Sequence, residues 1–168
     1  MVTVEAIMDL ADARNSVGDY EGALADHRTA LATARRMGKD QDARTCVGRL
    51  SIGSLLLRLD GDCDEVTTLS NEVLAITQNA PPEQHWMIGR AKCLLGAVAL
   101  KRGNFVESER LLIEGFENIG PGRLVAHHRR AAATSLVKLY ETWDAASPGT
   151  GKDQLLALWR AKLEDLTP

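Results

Sequence analysis

A chain of 168 residues, 45% hydrophobic and 26% charged, has the make-up of a globular protein and is long enough to bury a core without disulfide or metal staples. Twenty Lys and Arg against 23 Asp and Glu give a net charge of -3, which speaks against a dedicated nucleic-acid binder, whose phosphate contacts need a basic excess. No apolar run approaches the roughly 18 residues of a membrane span, and Met1–Glu5 lack the basic and apolar blocks of a secretory signal, so a cytoplasmic protein with no membrane contact is expected.

The periodicity predicts eight helices, over about 3–16, 20–37, 41–59, 63–78, 83–102, 105–118, 123–143 and 152–165. In the first, Val4, Ile7, Leu10 and Ala11 share a face; in the second, Tyr20, Ala23, Leu24, His27, Ala30, Leu31 and Ala34 do, which places His27 among packed apolar residues. Gly38-Lys-Asp40 breaks the chain before the third helix, and Asn79-Ala-Pro81-Pro82 before the fifth. The fifth helix carries Ala91, Leu94, Leu95, Val98 and Ala99, and the sixth Phe105, Leu112, Phe116 and Ile119. Gly120-Pro121-Gly122 precedes the seventh, with Ala133, Leu136, Val137, Tyr140 and Trp143; Leu155, Leu156, Trp159 and Leu163 mark the eighth. Val, Ile and Thr never alternate with polar residues long enough to signal a strand.

A phrase recurs between the helices. Gly18-Asp19-Tyr20, Gly61-Asp62-Cys63 and Gly103-Asn104-Phe105 place their glycines 43 and 42 residues apart, and one further period falls near Asp144. In each, glycine can end one helix left-handed while Asp or Asn caps the next. The chain thus divides into units of about 1–40, 41–80, 81–121 and 122–168, forming one repeat domain.

Helix, Gly-Asp-Tyr turn, then a helix with Ala23-Leu24 and Ala30-Leu31 resembles the tetratricopeptide repeat, in a long version of about 42 residues like those of kinesin light chains and many bacterial proteins. The third unit keeps Gly103-Asn104-Phe105 but has Ser108 and Gly115 where the family prefers Ala; the second has Cys63, Val66 and Val73 at the corresponding places. Leu136–Trp143 followed by Leu158–Leu163 is similar to the last repeat of arrays trailing bacterial serine/threonine kinases. The resemblance implies an all-α, right-handed solenoid of four helical hairpins that acts as a protein–protein interaction scaffold. It also implies an alternative: the regulatory or docking tail of a larger bacterial kinase. Kinase chemistry itself is absent, for the chain has no G-x-G-x-x-G, H-R-D or D-F-G.

The family's partner groove is lined by the first helix of each pair. Carried over by position, it comprises Glu5, Met8, Asp9, Asp12 and Asn15 in the first unit and Ser51, Leu55, Arg58 and Leu59 in the second. The third contributes Arg90, Cys93, Ala97, Leu100 and Lys101, and the fourth Thr134, Lys138 and Glu141. Such a groove runs from acidic to basic around an apolar strip, so charged peptide or protein segments are the expected partners. Met8 and Asp12 stand where a chaperone-tail clamp needs Lys and Asn, and Asp12 would repel a terminal carboxylate.

No other chemistry is signalled. Gly149-Thr-Gly151-Lys152 fails as a phosphate loop because Ala146 and Asp153 stand where glycine and a hydroxyl belong, and a solvated turn is expected instead. His127 and His128 are adjacent, so on a helix they point about 100° apart and cannot share a metal. They open a basic run, His127-His128-Arg129-Arg130, read as a solvated helix start, with contact to an acidic partner or a phosphate as the alternative. Cys46, Cys63 and Cys93 form no C-x-x-C pair, so reduced thiols and no metal or cofactor are expected. Trp86 is expected to pack back on the preceding repeat. The sequence stops at Thr167-Pro168 without a polar helix over the last apolar face, which implies a longer array or pairing with a second copy at that end.

Overall fold

The computed structural model describes residues 3–166; the expectations about Met1–Val2 and about the C-terminal Thr167-Pro168 lie partly or wholly outside them. The described residues contain no strand and eight α-helices: α1 Val4–Ser16, α2 Tyr20–Arg36, α3 Ala43–Arg58, α4 Cys63–Thr77, α5 His85–Lys101, α6 Phe105–Ile119, α7 Ala126–Ala146 and α8 Lys152–Asp165. Single 3-10 turns at Pro82–Gln84 and Arg123–Val125 delay the fifth and seventh helices by two or three residues against expectation. Pro82, at the first position of its turn, has no amide to donate and a fixed φ. At the other end, α7 runs on through Asp144-Ala145-Ala146 because nothing breaks it before Ser147, which precedes Pro148.

The turns explain the beat. Asp19, Asp62 and Asn104 each cap the following helix, accepting from Gly22 N (3.0 Å), Asp64 N (2.7 Å) and Glu107 N (3.3 Å). Each preceding helix closes with an amide donating five residues back, from Asp19 to Arg14 O, Gly61 to Leu56 O and Asn104 to Ala99 O. The residue before each of these amides is left-handed: Gly18 (φ 86°), Asp60 (φ 52°) and Gly103 (φ 73°). The second turn therefore holds its left-handed residue one place before its glycine and contains one residue more than the others. That insertion is why glycines 43 and 42 apart mark closures that are 42 and 43 apart.

The chain forms two compact units, Met1–Ala80 and Pro81–Pro168, and the division falls where the second sequence unit meets the third. In the first, α1 packs on α2, α2 on α3 and α3 on α4. Val4 and Met8 of α1 meet Ala30 and Ala34 of α2, and Cys46, Leu50, Ile52, Val66 and Val73 are buried in the same unit. In the second, α5 packs on α6, α6 on α7 and α7 on α8, with α5 also touching α7. Leu112, Phe116 and Ile119 join Ala132, Ala133, Leu136, Leu139, Tyr140 and Trp159 in one cluster, with Phe116 edge-on to Trp159 at 5.0 Å.

Two features go beyond apolar packing. Arg49 of α3 is 1% exposed, yet its guanidinium is satisfied on every side: Nε donates to Glu72 Oε2 (2.7 Å), Nη2 to Asp40 Oδ1 (2.6 Å) and Nη1 to Asp40 O (2.8 Å). It ties the α2–α3 turn and α4 to the middle of α3. In the second unit α5 and α6 cross at glycine. A Cβ on Gly115 would lie 2.8 Å from Gly89 O, and one on Gly89 2.6 Å from Gly115 O. Ser108 Oγ donates to Gly96 O in the same seam, at 2.8 Å. Gly115 and Ser108, which stand where a tetratricopeptide pattern would have alanine, thus both sit in the tight α5–α6 seam.

Candidate partner-binding surface

In the first unit α1 and α3 lie side by side, joined by charge. Arg44, at the start of α3, pairs with Asp9 and lies 3.9 Å from Asp12 Oδ2. Asp12 Oδ1 is also 3.5 Å from Nε2 of His27, which is 2% exposed. Glu5 lies 3.9 Å from Lys39. A hydrogen bond from its own backbone amide, one from Thr3, and the charges of Lys39 and Arg44 hold its carboxyl below the usual range. At the far end Arg58 donates to the Tyr20 hydroxyl (3.0 Å), its guanidinium 4.6 Å from the ring centre. Glu5, Asp9, Asp12, Asn15 and Arg58 are exposed, and Leu59 is half-buried.

Met8 and Leu55 are not on this surface. They are 1% and 3% exposed, and the Met8 methyl fills the space over Gly48 of α3, so both belong to the interior between helices.

In the second unit α5 and α7 are joined by rings rather than charges. Trp86 stacks on His128, 5.0 Å between centres and 5° from parallel, with the Arg90 guanidinium 6.0 Å from the indole. Within its own unit Trp86 therefore packs onto the following hairpin. The dense basic run is correspondingly not just a solvated helix start. Burial, followed by the charge of Arg90 and the neighbouring His127, drives the His128 imidazole down to about 3, so it stays neutral at ordinary pH. Arg129 turns inward to the Phe116 ring at 3.9 Å.

Of the remaining expected groove residues, Lys101 and Lys138 are exposed and Arg90 and Ala97 half-buried. Cys93 instead points at the α6 seam: its Sγ would be 2.5 Å from a Cβ on Gly115, and burial pushes its thiol up to about 12. A thiol held protonated in this way is a space-filler without nucleophilic character. Lys152 is likewise packed, its ammonium 3.6 Å from the Trp143 ring centre and 3.6 Å from Glu109, which also accepts from Tyr140 at 2.8 Å. The Gly-Thr-Gly-Lys turn thus delivers its lysine to the aromatic end of α7 rather than to solvent.

Two clefts and one buried cation were not read from the sequence. A cleft of about 640 Å³ lies between α2 and α4, floored by Leu31, Ile52 and Leu69 and strapped by Arg28–Glu65 (2.5 Å) and Arg35–Glu72 (3.4 Å). A smaller one of about 320 Å³ opens at the start of α5 and α7 between Trp86, Ile119 and Leu124. Arg49 had a signal: Cys46, Leu50, Ile52 and Leu56 surround it on α3, leaving an inward arginine little alternative to pairing. Among the described residues no group of His, Cys, Asp and Glu could hold a metal ion, and no helix is long and apolar enough to cross a membrane.

No protein-family model matches the sequence, and no curated protein matches it.

Proposed function

We propose that the chain is a non-catalytic scaffold of the tetratricopeptide kind, a right-handed series of four hairpins that holds a peptide or protein segment against the first helices of its pairs. The observation that supports this reading is the pairing of those first helices within each unit. Asp9, Asp12 and Arg44 join α1 to α3, and Trp86 and His128 join α5 to α7. The first helices also bury much of the core, and the charged side chains they leave exposed include Glu5, Asp9, Asp12, Arg58, Lys101, Arg130 and Lys138. Side-by-side helices of fixed spacing offer an extended segment repeated, rigid contacts at little ordering cost.

Panning the immobilised chain with a random-peptide phage library tests this. A family of related sequences is expected, and their binding should fall with Asp9→Lys with Asp12→Lys, or with Lys138→Glu, but not with Arg36→Glu on α2. Enrichment of no related sequences, or binding indifferent to every first-helix change, would overturn the reading.

A further inference from the structure

Charge is divided between the helices of the second unit. Residues 84–104 and 120–140, which hold α5 and most of α7, contain eight Lys and Arg and no Asp or Glu, whereas α6 carries four Glu and one Arg. Some of this basic excess is used internally: Lys92 donates to Glu114 (2.8 Å) and Arg129 lies on Phe116. The acids are used internally too, since Arg110 holds Glu107 (2.6 Å) and Glu114 (2.7 Å), while Arg160 holds Glu141 (2.7 Å). Arg90 lies over Trp86, and Lys101 and Arg102 have contacts of their own, which leaves Arg123, Arg130 and Lys138, exposed and without an ion pair among the described residues.

Their placement makes a track. His127, Arg130, Thr134 and Lys138 are all exposed and recur at three- and four-residue steps, hence on one face of α7. From His127 to Lys138 that face runs about 16 Å, the reach of about five extended residues. At its N-terminal end lies the cleft of about 320 Å³, lined by Trp86, Ile119, Arg123 and Leu124 and by the exposed Glu83, so the apolar residue and not a carboxylate of a ligand belongs there. Leu124 is 90% exposed, an apolar side chain that nothing in its own unit covers. The volume is enough to take one bulky side chain.

We propose that this track docks a short acidic peptide segment bearing one bulky apolar residue, with its carboxylates along Arg130 and Lys138 and its apolar side chain between Trp86 and Leu124. This rests on the interaction-scaffold reading and names the partner's chemistry. Exposed cations about two turns apart attract a carboxylate chain and set its register, while the cleft supplies the burial that surface ion pairs alone do not. A polyanion without an apolar anchor gains only the first.

The test is fluorescence anisotropy of the full chain with a fluorescein-labelled Glu/Ser peptide of about ten residues, roughly twice the track's reach, carrying one central Leu. Binding is expected to weaken at least about tenfold in R130E/K138E and in L124D, and on replacing the peptide's Leu with Ser, and to decline with added salt. Leu124 is exposed, so L124D folds as the parent does, checked by circular dichroism. No measurable binding, binding unchanged in both variants, or equal binding of an oligothymidylate of matched charge would overturn the proposal; the last would mark a general polyanion surface. If phage panning yields sequences that need Asp9 and Asp12 but not Arg130 and Lys138, the scaffold reading stands while this one falls.

Discussion

Gly115→Ala sets two rules against each other. Alanine is the residue the tetratricopeptide pattern prefers at this position, and on an isolated helix it would gain about 1 kcal/mol over glycine. The structure reverses the sign. The added methyl would stand 2.5 Å from Cys93 Sγ, 2.8 Å from Gly89 O and 3.1 Å from Cys93 N, so two of its three nearest neighbours are backbone atoms of α5. Backbone cannot rotate aside, and the helices must part. Overpacking of this kind costs about 1–3 kcal/mol, and against an opposing helix the upper half of that range applies, leaving a net loss of about 1–2 kcal/mol. Gly48→Ala is the matched control, because its methyl would meet only the flexible end of Met8, at 2.8 Å. It should be neutral or mildly stabilising. Trp86, Trp143 and Trp159 all lie in the second unit, so tryptophan fluorescence in urea follows that unit alone. A fluorescence midpoint lowered by Gly115→Ala, with no fall in the whole-chain circular-dichroism midpoint for Gly48→Ala, is expected. If Gly115→Ala raises the midpoint, the close α5–α6 crossing is wrong.

Other outcomes follow from single contacts. Arg49→Leu leaves Asp40 and Glu72 without their buried partner, but these carboxylates are 41% and 35% exposed and can rehydrate; the loss should be at the low end for a broken buried pair, about 3 kcal/mol, read by thermal circular dichroism. His128, ordinary when unfolded and near 3 when folded, binds its proton more readily in the unfolded chain between those values, so the second unit should lose stability as pH falls from about 6.5 toward 3. His128→Phe keeps the stack on Trp86 and should flatten that decline in fluorescence-monitored melts. Lys152→Met removes an ammonium from the Trp143 face and Glu109, costing about 1 kcal/mol in the same melts; Mg-ATP calorimetry should show no heat with either protein.

The helices were legible because their signals are local. Gly18, Asp19 and Tyr20 sit within three residues, and so do Gly103, Asn104 and Phe105; left-handed closure and capping need nothing from elsewhere in the chain. The second turn was harder, since Asp60 adopts the left-handed conformation usually left to glycine and displaces the register by one. The surface was less legible for a different reason. A position carried over from a repeat pattern states which helix a residue is on, whereas exposure depends on what faces it from the next helix. Met8 is removed from the surface by the missing side chain of Gly48, and Cys93 is drawn to α6 by the missing side chain of Gly115, each pairing set by residues 22 or more positions away. Trp86 and His128, 42 residues apart, meet only because the repeat brings successive first helices together.

At their surfaces the two units link their first helices differently, by ion pairs in the first and by stacked rings in the second, and this sets where charge is left unpaired. On the exposed side of the α1–α3 contact the links are ionic, above the buried Met8 against Gly48, so Asp9 and Asp12 are already answered by Arg44, and Glu5 by Lys39 of the α2–α3 turn. A basic partner there must displace an existing pair, and exposed pairs of this kind exchange at little net gain. Between α5 and α7 the joining work falls to Trp86 and His128, with the imidazole kept neutral by its burial. Arg130 and Lys138 are consequently not needed for the fold. A charge with no internal duty loses nothing on binding except its water, so the acidic peptide proposed for the second unit would have the energetic advantage over a basic ligand on the first.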